Sequence, residues 1–469
     1  MSADRRPSYE ELAELVVRQA ERIEQLEAEV ADLRRQLGQN STNSSRPPSS
    51  DSPFTKPAPK SLRRRTGRKP GGQPGHSGST LALVDNPNQR RRHEPDACTG
   101  CGASLAGAPE VGMERRQVFD LPPMTVHVVE HQLIARRCAC GATTCAAAPE
   151  GVTAPVQYGP RITAIVLYLY VGQFLSKKRT AQALAELFGT PVCEATVASM
   201  SRRCADGLAG FLTEVKERIA DAEVAGFDET GLRVAGKLAW VHCARTGKYT
   251  LITCHPKRGR EGINHAGVLG RFRGVAVHDA WAPYDTYLDP AHQLCCVHAL
   301  RELAAVADTA PADADWCWAT QAGDALVALQ KLVAEAIATG ADTIDPDALD
   351  KQVQLYRSAA QIGLTHTSAR STKLMKKHNA LARRLLDRQD DYLRFTHDWR
   401  IPPDNNGSER DIRMIKVRQK VSACLRTLTG ARQFCAIRSY LSTAAKHGRT
   451  FLDTLVMLAE GQPWMPATT

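Results

Sequence analysis

Apolar side chains recur at alternating spacings of four and three between about residues 9 and 37. The series is Leu12, Val16, Ile23, Leu26, Val30, Leu33 and Leu37, with Gln19 its one polar occupant. Glu, Arg and Gln fill the positions between. This 3.5-residue period predicts about four heptads of coiled coil over residues 1–38, and with it a homo-oligomer. Gly38 and the Asn/Ser/Pro stretch after it end the helix. Residues 39–95 carry few large apolar side chains and read as a flexible basic linker. A β-like alternation follows at 125–134. Residues 151–222 then keep a helical period, with two short amphipathic helices at 179–188 and 194–203 joined by Gly189-Thr-Pro-Val. That layout predicts either a helix-turn-helix or an ordinary helical hairpin, with Thr196, Ser199, Arg202 and Arg203 facing outward on the second helix.

From 223 to 308 the period changes to that of strands. Expected strands are 224–227, 237–244, 248–254 and 275–278, with a helix at 262–269 before the last. Three adjacent strands, then α, then β, is the order of an RNase H-like fold. Residues 309–400, rich in Ala, Leu, Lys and Arg, read as a helical insertion, and the core resumes over 401–460. The expected fold class is thus multidomain α+β. Its parts are an N-terminal coiled coil, a cysteine-bearing ribbon at 96–150, a helix-turn-helix-like region, and an RNase H-like α/β core with a helical insertion.

Charge narrows the partners. A formal net charge of +11 and a pI near 9.0 point to a polyanion. The longest apolar run, 162–171, is too short for a membrane span, and the charged N-terminus is no secretory signal, so a cytoplasmic protein is expected. The linker holds Arg63-Arg64-Arg65, Arg68-Lys69 and Arg90-Arg91-Arg92, runs that suit phosphate neutralisation without sequence choice. Of the 14 cysteines, Cys98, Cys101, Cys138, Cys140 and Cys145 cluster. In a reducing compartment such a cluster indicates metal more than disulfides. Cys98, Cys101, Cys138 and Cys140 are the expected ligands of one structural Zn²⁺ in a ribbon, with Cys145 competing for the fourth place. Inert thiols are the alternative.

Three acids carry the candidate chemistry. Asp228 ends the apolar run Val224-Ala-Gly-Phe-Asp228, Asp279 ends Gly274-Val-Ala-Val-His-Asp279, and Glu409 lies in Asp404-Asn-Asn-Gly-Ser-Glu409, which opens a basic helix. Two strand-end carboxylates and a helix carboxylate can converge on a pair of divalent ions roughly 3.5–4 Å apart, the clamp used on phosphodiesters. Each has a plainer reading: an Asx turn at Asp228, a helix N-cap at Asp279, a capping box from Asn406 to Glu409. Among competing acids, Glu229 is expected on the opposite strand face, and Asp285, Asp289 and Asp404 on loops.

Four strings together carry a family resemblance: Asp228-Glu-Thr, Asp279-Ala-Trp-Ala-Pro-Tyr284, Cys295-Cys-Val-His298-Ala-Leu-Arg301 and Asn405-Asn406-Gly-Ser-Glu409-Arg410. With the coiled coil, the Gly67-Arg-Lys-Pro-Gly-Gly-Gln-Pro-Gly-His76 linker and the cysteine segment in the same order, the chain resembles transposases of the insertion sequence 66 family over nearly its whole length. The resemblance implies a D-D-E transposase whose Asp228, Asp279 and Glu409 hold two Mg²⁺ ions. The reaction it implies is hydrolysis at the element's ends, then joining of the freed 3′-hydroxyl to target DNA. Implied partners are the terminal inverted repeats, target DNA and accessory proteins of the element, with no membrane. Arg410, Arg413, Lys416, Arg418 and Lys420, in a stretch that departs from the family's usual wording, are expected at phosphates. Cys295, His298 and Arg301 share a helix face and are expected to pack or to position DNA rather than bind zinc. A DNA-binding regulator and a structure-specific nuclease are the rival readings.

Overall fold

The computed structural model describes residues 8–38, 78, 80–310 and 315–467. Helix α1, Tyr9–Leu37, opens the chain and leaves Val16, Ile23, Leu26, Val30, Leu33 and Leu37 exposed. A short antiparallel hairpin, β1 (Ala135–Arg137) and β2 (Thr143–Cys145), follows. The strand expected at 125–134 belongs to no ladder; pairing begins just after it, where a turn lets two segments meet.

Four helices come next: α2 (Pro160–Leu167), α3 (Lys177–Phe188), α4 (Glu194–Asp206) and α5 (Ala209–Ala220). Ser176 caps α3 through Arg179 N, and Gly189, at φ 59°, closes it in the left-handed region that glycine adopts without strain. The sheet is built from β3 (Val224–Val234), β4 (Lys237–Arg245), β5 (Thr250–His255), β6 (Val275–His278) and β7 (Ala291–Leu294). Its order is β5-β4-β3-β6-β7, with β3, β4 and β5 antiparallel and β6 and β7 parallel to β3. Helix α6 (Arg260–Ala266) connects β5 to β6 and stops at Gly267, earlier than its expected end. Strand β3 runs well past Phe227 because β4 pairs with it along its whole length, so Asp228 sits within a strand rather than at its end.

Helix α7 (Cys296–Ala307) follows β7, and α8 (Trp318–Thr339), α9 (Pro346–His366), α10 (Lys373–Asp387) and α11 (Gln389–Leu393) fall within the expected insertion. The chain then closes with α12 (Asn406–Ser422), α13 (Leu428–Lys446) and α14 (Phe451–Ala459). Strand β6 separates two cores. Ala276 joins one made by α2–α5, the sheet and α12–α14, while Val275 and Val277 face the other, formed by the insertion. The helices of 160–220 therefore share a continuous core with the sheet and α13, as in the edge-on pair Phe211–Tyr440 at 4.9 Å.

Beyond Gly226, β3 has no β6 partner, and its free edge is covered by α12 and the chain after it. Asn405 Nδ2 donates to Phe227 O at 2.7 Å, Lys416 Nζ to Gly231 O at 3.3 Å, and Ala235 N to Leu425 O at 2.8 Å. The approach is close: a Cβ on Gly226 would lie 2.4 Å from Ser408 Oγ and 3.0 Å from Asn405 Oδ1. Gly226→Ala should therefore cost about 1–3 kcal/mol of stability, as overpacking does. Asn405→Ala, which strands a buried carbonyl, should cost a similar amount. Urea denaturation checks both, and an unchanged midpoint for Gly226→Ala would mean that α12 does not dock as described.

Candidate active site

The parallel ladder pairs Gly226 with Val277. Asp228 lies two residues past Gly226 on β3 and Asp279 two past Val277, just beyond the end of β6; both are half-buried, and the charge of Asp279 acts on Asp228. Asp228 Oδ1 accepts from Glu229 N at 2.9 Å. Asp279 Oδ1 accepts from Trp281 N at 3.2 Å, a local turn that aims the carboxylate and starts no α-helix.

The third acid comes with α12. Asn405 and Ser408 are buried against β3, and Asn405 N also donates to Cys295 Sγ at 3.3 Å. Gly407 admits Arg245, whose Nη1 would lie 2.0 Å from any Cβ there. Arg245, Lys446 and Thr250 all donate to Asp411 Oδ2, at 3.0, 2.8 and 2.9 Å, pinning the first turns of α12 to the sheet. Glu409 is not in a capping box with Asn406; its carboxylate stands 3.8 Å from His298 Nε2 instead. His298 Nδ1 is buried without a hydrogen-bond partner, and burial holds the imidazole below its ordinary pKa. His298 thus belongs beside the third acid. The Cys295-x-x-His298 spacing was its visible signal, but α7's position was needed to interpret it.

Glu229 was expected to point away, and it is buried, yet its charge acts on both strand acids. Arg258 neutralises it, with Nε at 3.0 Å and Nη2 at 2.7 Å from Oε1, and Tyr284 donates to Oε2 at 2.5 Å. The guanidinium lies 3.9 Å from the centre of a Trp281 ring and 4.9 Å from one of Trp240. Burial, then the charges of Glu229, Asp279 and Glu409, push Asp228 well above the ordinary carboxylate range. Burial, then Glu229, push Asp279 up to about 7. Among the described residues neither Asp228 nor Asp279 pairs with Lys or Arg, and Glu409 meets only His298. The three acids offer only oxygen donors, the ligand type that hard divalent ions take. Among the described residues, no group of three or more His, Cys, Asp or Glu is arranged so that it could hold a metal ion.

The cysteines form two knuckles. Cys98 and Cys101 lie on a turn closed by Gly102 N to Cys98 O at 2.8 Å, and Cys138 and Cys140 on one closed by Gly141 N to Cys138 O at 2.9 Å. Hydrogen bonds from the backbone N–H of Gly100 and Cys101, then from the Cys101 thiol, lower the pKa of Cys98, and those from the backbone N–H and then the thiol of Cys140 lower that of Cys138. Cys145 Sγ instead faces Leu133 O at 3.5 Å.

The expected DNA contacts divide. Arg202, Arg203, Arg410, Arg413 and Lys420 are exposed, and Thr196 and Ser199 half-buried. Arg63, Arg64, Arg65, Arg68 and Lys69 lie outside the described residues. Arg418 is a correction: it is buried, about 6.0 Å from the rings of Tyr170 and Phe434, and donates to Ala423 O at 3.3 Å. The periodicity of α12 turns it into the core. Lys416 likewise turns back onto β3. Of the competing acids, Asp285 pairs with Arg388 at 2.8 Å and Asp289 with Arg273 at 3.1 Å, while Asp404 holds Asn406.

A carboxyl raised from 3.8 to about 7 binds a proton in the folded chain that the unfolded chain has already lost. Metal-free protein should therefore lose stability as pH rises from about 4 to 7, and Asp279→Asn should flatten that slope. Urea midpoints in chelator-containing buffers at several pH values check this; equal slopes for both proteins would sink it.

Residues 95–141 match the zinc-finger binding domain of transposase IS66, a match that supports a structural zinc. It contains Cys98, Cys101, Cys138 and Cys140 and stops before Cys145. Residues 4–82 match a family of unknown function. No curated protein matches the chain closely. The Transposase IS66 family model matches residues 155–433, more than half of the chain, across the sheet, the insertion and α12. The chain belongs to the IS66 family of transposases.

Proposed function

We propose that this transposase is a D-D-E enzyme with an RNase H-like core, in which Asp228, Asp279 and Glu409 hold two Mg²⁺ ions. The observation that carries this reading is the meeting of three carboxylates, from β3, from just past β6 and from α12, none ion-paired to Lys or Arg among the described residues. Mg²⁺ bound there supplies charge neutralisation and activation of the attacking oxygen, first of water at the element's end, then of the freed 3′-hydroxyl at target DNA. The chain's own part is positional. β3 and β6 fix two carboxylates on one sheet, and Asn405 and the Asp411 network hold the third against it. Arg258 keeps the charge of Glu229 compensated beside them. Exposed Arg410, Arg413 and Lys420 on the helix of Glu409 suit the phosphates flanking the scissile bond. The stripe on α1 suits a second copy, which would let both element ends be handled together.

Asp228→Asn, Asp279→Asn and Glu409→Gln keep size and hydrogen bonding while removing one ligand charge. Each should reduce Mg²⁺-dependent end cleavage and joining by at least about 10²-fold, with duplex binding retained. The same changes at Asp285 and Asp289 should be tolerated by comparison. Full joining activity in any of the three main variants would remove that residue from the site, and cleavage without joining by the wild-type chain would favour a nuclease.

Purified protein should also contain about one Zn²⁺ per chain. Cys138→Ser should release it, whereas Cys145→Ser should retain it. Metal analysis finding the reverse would make Cys145 the ligand.

A further inference from the structure

Helix α10 has a composition unlike its neighbours. It carries Lys373, Lys376, Lys377, Arg383 and Arg384 and no acid before Asp387 at its end. Leu381, Ala382, Leu385 and Asn379 are buried, while Lys373, Lys376, Lys377, Ala380 and Arg383 are exposed. The other long insertion helices show mixed exposed faces: Asp324, Lys331 and Glu335 on α8, and Asp347, Asp350, Lys351 and Arg357 on α9. Among the described residues, Lys373, Lys376 and Arg383 make no ion pair. Three basic residues without ion pairs on one helix are not the usual salt-bridge-laced surface.

Its placement ties it to the candidate site. Lys373, Lys377, Ala380 and Arg384 follow the i, i+4, i+7, i+11 spacing of one helical face. At its far end Arg384 pairs with Glu302 of α7, one turn beyond His298, and takes Tyr392 Oη at 3.0 Å. Arg388, just past α10, pairs with Asp285 in the loop after Asp279. The basic row therefore lies on a helix tied to α7, which carries His298, and to the turn after Asp279. It is about 16 Å long at about 1.5 Å per residue, the length of roughly five base pairs of duplex.

We propose that the exposed face of α10 is a binding surface for the phosphate backbone of duplex DNA, holding the segment that flanks the bond in the candidate site. The proposal rests on the D-D-E reading for what that segment is. Lys373, Lys376 and Arg383 neutralise phosphates, and Ala380 leaves room for the strand to lie close. The contacts are to backbone and carry no sequence choice.

The test uses the full chain and a labelled linear duplex in Mg²⁺-free buffer, with anisotropy titrations over a range of KCl. The triple variant Lys373→Gln, Lys376→Gln, Arg383→Gln should melt as the wild type does. The slope of log affinity against log salt should fall by about 2–3, at about 0.9 per lost phosphate contact, and affinity roughly ten- to hundredfold at 0.1 M salt. A photoreactive p-benzoylphenylalanine at Ala380 in an otherwise unaltered chain should crosslink to the duplex. An unchanged slope and no crosslink, in a chain that binds duplex, would overturn this surface and leave the D-D-E reading standing. A wild-type chain that binds no duplex at all would overturn both. Loss of binding to anionic phosphatidylserine vesicles with duplex binding unchanged would replace DNA by a membrane surface and also overturn the proposal.

Discussion

One hydrogen bond organises the candidate site: the side-chain amide of Asn405 on the carbonyl of Phe227. Past Gly226 the edge of β3 would be bare, and a buried edge must find partners for its backbone groups. Here a helix and its flanks meet that need, through Asn405, Lys416 and Leu425 in turn. Because the first of these contacts precedes Asp228 by one residue, satisfying the edge and delivering Glu409 are one act of packing. Gly226 and Gly407 are the sequence's contribution, since each removes a side chain where α12 and β3, or α12 and Arg245, nearly touch.

The second constraint is electrostatic. Four carboxylates lie close together on β3, β6 and α12, and one of them, Glu229, is buried beyond the reach of solvent cations. Its charge is met internally by Arg258 and by the hydroxyl of Tyr284. Of the remaining three, none is ion-paired to Lys or Arg among the described residues, and Glu409 faces His298. Charge compensated inside the protein and charge left open thus lie one residue apart, at Glu229 and Asp228. Burial of an unpaired carboxylate is costly, so this division is a property that the surrounding packing must maintain.

The sequence made some of this legible and hid the rest. Asp228, Asp279 and Glu409 stood out because each closes or opens a distinctive local string. The order of three strands, a helix and a strand followed from hydrophobic periodicity. The full length of β3 did not, because Asp-Glu-Thr-Gly reads as a turn until β4 pairs with it. Ala291–Leu294 is too short and too polar to announce a strand, and only its ladder with β6 makes it one. Arg418 looked like its basic neighbours. Its neighbours on the helix do not reveal that its own position faces Tyr170 and Phe434. The role of Asp411 was equally invisible, since its partners Arg245, Thr250 and Lys446 are scattered along the chain.

The insertion between β7 and α12 has a consequence for synthesis. Domains fold as their segments emerge from the ribosome, and β3 to β7 emerge with two of the three acids. Glu409 follows only after α7 to α11, which form a core of their own against Val275 and Val277. The covering of the β3 edge must wait equally long. A nascent chain therefore holds two of the three carboxylates without the third while α7 to α11 are being made, and the fold itself delays assembly of the candidate site until those helices have emerged.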